Sequence, residues 1–223
     1  TSHVPASAYL GPVGMPGVTG WMGLTQICKP KAGETLVVSA ASGAVGSVVG
    51  QLGRSMGCRV VGIAGGAEKC RYVTQDLGFD ACIDYKAHAD SKSLYGALKA
   101  ATPDGVDAYF ENVGGIIMDT VLARTNPFAR IAVCGLIAGY DGAPLPMNNA
   151  TLILVNRLTI QGFIVSERMD LWPEALKTLG EQVAKGKLVY RETITEGLAN
   201  APEAFLGLLK GHNFGKQLVR ISA

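Results

Sequence analysis

The chain has no CxxC pair among its five cysteines, Cys28, Cys58, Cys70, Cys82 and Cys134, and no HxxxH spacing among His3, His88 and His212. A disulfide framework needs paired cysteines, and a metal centre needs closely spaced His or Cys ligands. An odd number of unpaired thiols suits a reducing compartment, so a cytoplasmic protein without a bound metal is expected. Charge of one sign is missing too: 20 basic side chains meet 18 acidic ones, with no long run of either. That balance argues against a nucleic-acid groove or a polybasic membrane patch. No uninterrupted apolar stretch reaches the ~18 residues of a membrane span. The opening "TSHVPASAYLGPVG" has neither the charged start nor the apolar block of a signal peptide, so none is expected.

What is present is glycine and a rhythm of short apolar runs. Hydrophobic residues make up 48% of the chain and charged ones 17%, enough for a well-buried core. Residues 1–34 are rich in turn formers, with "VTGWMGLTQICK" a candidate short helix. Then "TLVVSA" reads as a buried strand, and 44–57 as a helix whose Val45, Val48, Val49, Leu52 and Met56 share one face. The alternation continues: strand "RVVGIA", helix 68–76, strand "ACIDY", helix "SKSLYGALKAA", strand "VDAYFE", a helix over 115–125, strand "RIAVCG". A Gly/Pro loop over 136–150 precedes a candidate helix, a strand "LTIQGFIV" and the amphipathic helix "LWPEALKTLGEQVAKG", stopped at Gly186. The end reads strand, helix, strand. Such alternation predicts an α/β fold, a doubly wound parallel sheet covered on both faces.

"AASGAVG" (40–46) leaves the first strand and opens the first helix, the context that gives a glycine pattern its meaning. It is an imperfect GxGxxG, with Ala41 at the first glycine position and Gly43 and Gly46 at the others. Gly43 would let backbone approach a pyrophosphate, Gly46 would let the helix pack close to the sheet, and the amides near Ala44 to Ser47 would face the phosphates. The bland alternative is a tight strand-to-helix turn.

An NAD-reading unit carries an acid at the end of its second strand, roughly 20 residues on. Here that place holds Gly65 and Gly66, and the first cation beyond is Lys69. A carboxylate would repel the 2′-phosphate of NADP. Glycine leaves room for it, and Lys69, with Arg71 nearby, would attract it at a helix start. Taken singly, Lys69 and Arg71 read equally well as solvated helix residues. The missing acid also weakens a methyltransferase reading. "YGALK" (Tyr95 to Lys99) fits a YxxxK reductase pair, but falls too early in the chain for the nicotinamide end and is expected to be helix surface.

"GMPGVTGW", "AASGAVGSVVGQ", "GGAEKC", "LGFDACIDYK", "YFENVGG", "CGLIAGY", "GFIV" and "GHNFGK" follow one another from about residue 11 to the C-terminus. This series resembles the zinc-independent medium-chain dehydrogenase/reductase superfamily, and within it the NADPH-dependent alkenal/one reductases of the prostaglandin reductase and curcumin reductase group. The resemblance implies that Ala44, Val45, Gly46 and Ser47 cradle the pyrophosphate of NADP(H). It implies that Gly66, Lys69 and Tyr85 meet the 2′-phosphate end, with Asn112 at the edge of the fourth strand. Cys134, Gly135, Leu136, Ile137 and Tyr140 would border the nicotinamide, Phe163, Ile164 and Val165 would line its pocket, and Asn213 would close over it. Tyr140 is the implied catalytic residue, relaying a proton or steadying the enolate formed as hydride reaches the β-carbon of an enone; the competing reading is a loop tyrosine packing on its own Gly/Pro turn. Read without the resemblance, Tyr85 is a half-buried strand end, Asn112 a turn former, and Cys134 and Phe163 core residues.

The resemblance further implies three parts: a remnant of a mainly β catalytic domain over 1–30, the nucleotide-binding unit over 31–190, and a strand-helix-strand return over 191–223. With the catalytic domain absent, this stretch alone would not turn over, and the Gly/Pro-rich 1–20 would be loose. A small enone or enal is the implied substrate. Homodimerisation through the "LTIQGFIV" edge is implied as well. A quinone or alcohol oxidoreductase, and an NADPH-sensing module without turnover, remain open beside the ene reductase.

Overall fold

The computed structural model describes residues 4–221. Six parallel strands, β1 (Thr35–Ser39), β2 (Arg59–Ala64), β3 (Ala81–Asp84), β4 (Val106–Glu111), β5 (Thr125–Val133) and β6 (Thr159–Gly162), form one sheet in the order β3-β2-β1-β4-β5-β6. The helices are α1 (Met15–Met22), α2 (Gly46–Ser55), α3 (Ala67–Gln75), α4 (Ser91–Ala101), α5 (Gly115–Leu122), α6 (Thr151–Val155) and α7 (Trp172–Ala184). This is the doubly wound order, in which the chain reverses direction across the sheet between β1 and β4.

Alternation along the strands sorts the core into two layers. Leu36, Val38 and Val60 face a cluster with Trp21 and Leu24, Val48 and Val49 of α2, and Leu179 of α7. Val37, Val61 and Ile63 face the other way, against Leu94 and Leu98 of α4 and Ile117 and Val121 of α5. Both faces of β1 are therefore dry, which is why its centre, Leu36 to Val38, is apolar without alternation. The predicted face of α2 is the buried one: Val48, Val49 and Leu52 are in the core, with Val45 and Met56 packed against it.

Several boundaries differ from the sequence reading. The stretch 1–20 is expected to be loose, but from Gly11 on it is packed: Val13 and Val18 are buried, and α1 runs on into a wide turn at Gly23–Cys28, while over 4–10 only Ala8 is buried. Leu24 and Cys28 join the cluster beneath the sheet, so this segment replaces solvent over one face. The helix expected to reach residue 125 stops at Leu122, and β5 starts at Thr125 rather than Arg130. The "TNPF" start of β5 is irregular: the register slips between Val106 and Ala108, and Phe128 has φ +66° with its amide donating to Asn156 O at 2.7 Å. At the other edge β6 ends at Gly162. Phe163 then leaves the sheet, because its ring turns inward against Gly23 and meets Phe110 edge-on at 6.2 Å.

After α7 come β7 (Glu192–Glu196), α8 (Ala201–Leu209) and β8 (Lys216–Arg220). β7 and β8 pair in parallel as a separate two-stranded sheet. A bridge between Gly43 and Gly215, with the Gly215 amide donating to Ser42 O at 3.0 Å, fastens this unit to the loop after β1.

Gly50 of α2 packs tightly on the connection before β3: an added Cβ would fall 1.7 Å from Cζ of the buried Phe79. Gly96 of α4 has nothing within 4 Å. Gly50→Ala is expected to lower stability by roughly 1–3 kcal/mol despite its better helix propensity, while Gly96→Ala raises it by up to about 1 kcal/mol. Urea midpoints moving the same way in both variants would contradict the packing account.

Candidate functional site

Open α/β sheets bind ligands beyond the carboxyl ends of their strands, at the point where strand order reverses. Here a cleft of about 300 Å³ lies at that point. Its floor is Ala40, Ser42, Gly43 and Ala44 after β1, with Ala64 and Gly65 after β2; its roof is the turn from Leu208 to Gln217 between α8 and β8. Val113, Ile117 and Ile137 close the apolar end, and Lys69, Tyr85 and Lys86 the polar one.

The loop after β1 is built around one carbonyl. Ala40 takes φ +47°, and its oxygen accepts from the Gly43 amide at 2.9 Å. A Cβ on Gly46 would sit 2.5 Å from that oxygen, so glycine is required there by close approach rather than only by helix–sheet packing. Ala41, in place of the first glycine, is fully buried and lies against Gly62, where an added Cβ would come within 2.8 Å of the Ala41 methyl. The expected row of phosphate-facing amides is one shorter: the Ser47 amide donates to Gly43 O at 3.0 Å, and Ser47 is buried.

At the opposite end the charge is one-sided. Lys69, Lys86, Lys210 and Lys216 all line the cleft, and among the described residues none of them forms an ion pair. Burial, then the neighbouring Lys86 ammonium, hold the Lys69 amine below its ordinary pKa. Its Nζ donates to Gly211 O at 2.5 Å and lies 5.5 Å from the Phe214 ring centroid, tying α3 to the roof. A carboxylate does stand near, on the next strand: Asp84 Oδ1 accepts from the Gly66 amide at 2.7 Å and the Lys86 amide at 3.0 Å. Backbone donors occupy that oxygen, and Asp84 does not line the cleft. Arg71 is exposed and does not line it either.

Beneath the junction of β1 and β4 lies a buried polar knot. Glu111 is 0% exposed, and its Oε1 accepts from Ser39 Oγ at 3.0 Å, from the Gly114 amide at 2.9 Å and from the Val113 amide; Tyr109 donates its hydroxyl to Oε2. Burial pushes the Glu111 carboxyl up against the pull of these four donors. Burial, then the Glu111 charge, push the Tyr109 phenol well above its ordinary value. Asn112 spans the same gap, with its amide on Ser39 Oγ at 2.8 Å and Nδ2 on Ser39 O at 2.7 Å.

Of the residues singled out in the sequence, Ala44, Lys69, Tyr85, Ile137 and Asn213 line the cleft together. Val45, Gly46, Ser47, Gly66 and Asn112 support its walls without lining it. Leu136 lines a separate cavity beside Gly114 and Leu145. Burial raises the Cys134 thiol to about 12, and its amide, like that of Gly135, donates to Glu111 O. Tyr140 is 66% exposed, with its hydroxyl 3.3 Å from where a Cβ on Gly135 would stand. Phe163 and Val165 pack on the core instead of lining the cleft, and Ile164 is exposed. The core alternative read from the sequence thus describes the Phe163 ring. Tyr95 and Lys99 are on the outer side of α4, as expected of helix surface.

Sequence reasoning missed Lys86, Lys210, Lys216 and Glu111. Lys86 was adjacent to Tyr85 in "DYK" and legible by position; the others depend on where the chain returns. Among the described residues no group of three or more His, Cys, Asp or Glu side chains is arranged to hold a metal ion. Nor is any of their helices long and apolar enough to cross a membrane.

A family model described as "Zinc-binding dehydrogenase" matches residues 44–181. The chain is 50% identical to the NADPH-dependent curcumin reductase of Escherichia coli over 220 residues, covering 96% of this chain and 63% of that protein. It is 44% identical to the 2-alkenal reductase (NADP(+)-dependent) of Nicotiana tabacum over 220 residues, 98% and 63% of the two chains. CurA of Vibrio vulnificus, solved in complex with NADPH, matches in structure with TM-score 0.91 at 46% identity, over 97% of this chain and 65% of that one. The chain therefore spans less than two thirds of the length of these relatives.

Removing the Glu111 carboxylate would strand several buried donors at once. Glu111→Ala is expected to cost about 3 kcal/mol or more, whereas Glu111→Gln, which keeps one acceptor oxygen, costs about half as much or less. Equal urea-unfolding losses for the two would show that volume, not donor satisfaction, sets the penalty.

Proposed function

The chain belongs to the zinc-binding dehydrogenase family, and on that premise we propose that it is the nucleotide-binding part of an NADPH-dependent oxidoreductase. The reaction is reduction of the C=C bond of α,β-unsaturated ketones and aldehydes. The two curated relatives are named for such substrates, and the solved relative holds NADPH. The observation that carries the reading is the cleft's charge. Lys69 and Lys86 stand together at the end of β2 with no ion-pair partner among the described residues, and an anion there would offset the burial and the like-charge repulsion that lower the Lys69 amine.

The residues fit NADP(H). The 43–46 loop would hold the pyrophosphate, with Ala44 and Val45 supplying amides, Gly46 allowing the approach and Ser47 anchoring the helix behind it. Gly66, Lys69, Tyr85 and Lys86 would hold the 2′-phosphate end. Asn112, Cys134, Gly135, Leu136, Ile137 and Tyr140 would border the nicotinamide end, with Phe163, Ile164 and Val165 shaping the wall behind it and Asn213 closing the roof. When bound, NADPH supplies the hydride. The chain's part is orientation and charge stabilisation: Tyr140 would donate its hydroxyl hydrogen to the carbonyl oxygen on which negative charge grows. Zinc has no step in this reading.

We propose the tripartite division at residues 30 and 190; the separate β7–β8 sheet beyond α7 supports its second boundary. A cytoplasmic location is supported by five free thiols. β6 is a sheet edge with exposed Leu154, Val155 and Ile164 alongside, which supports pairing with a second copy of the chain. Light scattering should return twice the monomer mass.

Fluorescence titration should show NADPH binding at least tenfold tighter than NADH, and Lys69→Ala and Lys86→Ala should each narrow that gap. Equal affinities in the parent would overturn the phosphate assignment. In the full-length enzyme, Tyr140→Phe should lower kcat for enone reduction about tenfold or more with NADPH affinity little changed. No turnover of but-3-en-2-one by the parent would leave a binding module.

A further inference from the structure

Cys70 and Cys82 are twelve residues apart in sequence, but α3 folds back on β3 and brings their sulfurs to 3.0 Å, with Cys82 Sγ donating to Cys70 Sγ. Cys28 and Cys58 are buried, whereas Cys70 and Cys82 are both partly open to solvent. Cys134, the other partly open thiol, is not paired with another sulfur among the described residues. No other element separates the pair, so a bond between them needs only a closing movement of one helix turn against one strand.

We propose that Cys70 and Cys82 form a reversible thiol–disulfide couple that reacts with low-molecular-weight disulfides such as oxidised glutathione. The environment divides the labour. The hydrogen bond from Cys82 is the main cause that lowers the Cys70 thiol, while the same bond, followed by burial, raises Cys82. The Asp84 charge opposes ionisation of both. Cys70 is thus the attacking sulfur and Cys82 the resolving one. In the first step the Cys70 thiolate displaces one thiolate from the external disulfide, leaving a mixed disulfide on Cys70. In the second, Cys82 gives its proton to solvent and attacks Cys70 Sγ, expelling the second thiolate. Two protein thiols are oxidised, one external disulfide is reduced to two thiols, and the protein loses two hydrogens.

The bond would join the turn carrying Lys69 to the strand carrying Asp84. The chemistry itself is independent of any reading of the cleft, since it is followed by mass and thiol count.

The full chain is incubated with oxidised glutathione and followed by thiol titration, intact mass and peptic mapping without reduction. Loss of two of the five thiols, a mass lower by two hydrogens and a Cys70–Cys82 peptide are expected, all reversed by dithiothreitol. Cys82→Ser should stop at one glutathionyl group on Cys70, and Cys70→Ser should leave Cys82 unmodified. Retention of all thiols in the parent, a disulfide mapped to another pair, or glutathione lodged on Cys82 in Cys70→Ser would each overturn the proposal. The parent's peptide map decides the matter even if a variant folds poorly.

Discussion

A single buried carboxylate ties the two halves of the sheet together where the cleft begins. Glu111 ends β4, and its oxygens gather the Ser39 hydroxyl from β1, two amides from the turn into α5 and the Tyr109 phenol. The connections that follow β1 and β4 leave in opposite directions at a point of reversed order, and something must fix the crevice between them there. Asn112 adds a second tie between the same strands through both its amides. Cys134 and Gly135, after β5, hang from the Glu111 carbonyl. The positions of three strand ends and the loops they carry therefore descend from one side chain and its neighbour. Buried charges are retained when every donor and acceptor around them is matched, and here the match is nearly complete.

The cleft itself is formed by contact between distant parts of the chain. Its floor belongs to the first strand-turn-helix unit and its roof to the α8–β8 connection, locked by the Gly43–Gly215 bridge and the Lys69 contact with Gly211. Two of its four lysines come from the roof. The field that favours an anion is a product of closure, since Lys69 and Lys86 alone would be better hydrated and less constrained.

The layered fold was legible because it rests on local regularities. The runs of β1, β2 and β4, the face of α2 and the Trp172–Val183 stripe each carry their own period, and the structure follows them. Legibility failed where tertiary contacts overrode that period. Phe163 looked like the continuation of a strand but is drawn inward by a space at Gly23, and the start of β5 was hidden by a bulge at Phe128. In the site, Lys69 was readable from its spacing to the glycine loop, and Tyr85 only through the family resemblance. Lys210 and Lys216 were not, because no local pattern says which loop a late strand will meet. Glu111 was quoted only as part of a motif; a carboxylate between Phe110 and Asn112 gives no hint that four donors will converge on it.

The Gly43–Gly215 bridge has a consequence for how the protein comes into being. During synthesis the N-terminal units emerge first and begin to pack, at a pace of roughly 5–20 residues per second. The sheet's central strands are all released well before residue 215 leaves the ribosome. For that interval the nascent chain carries a finished floor without a roof, and any ligand that needs both can bind only after residue 215 has emerged.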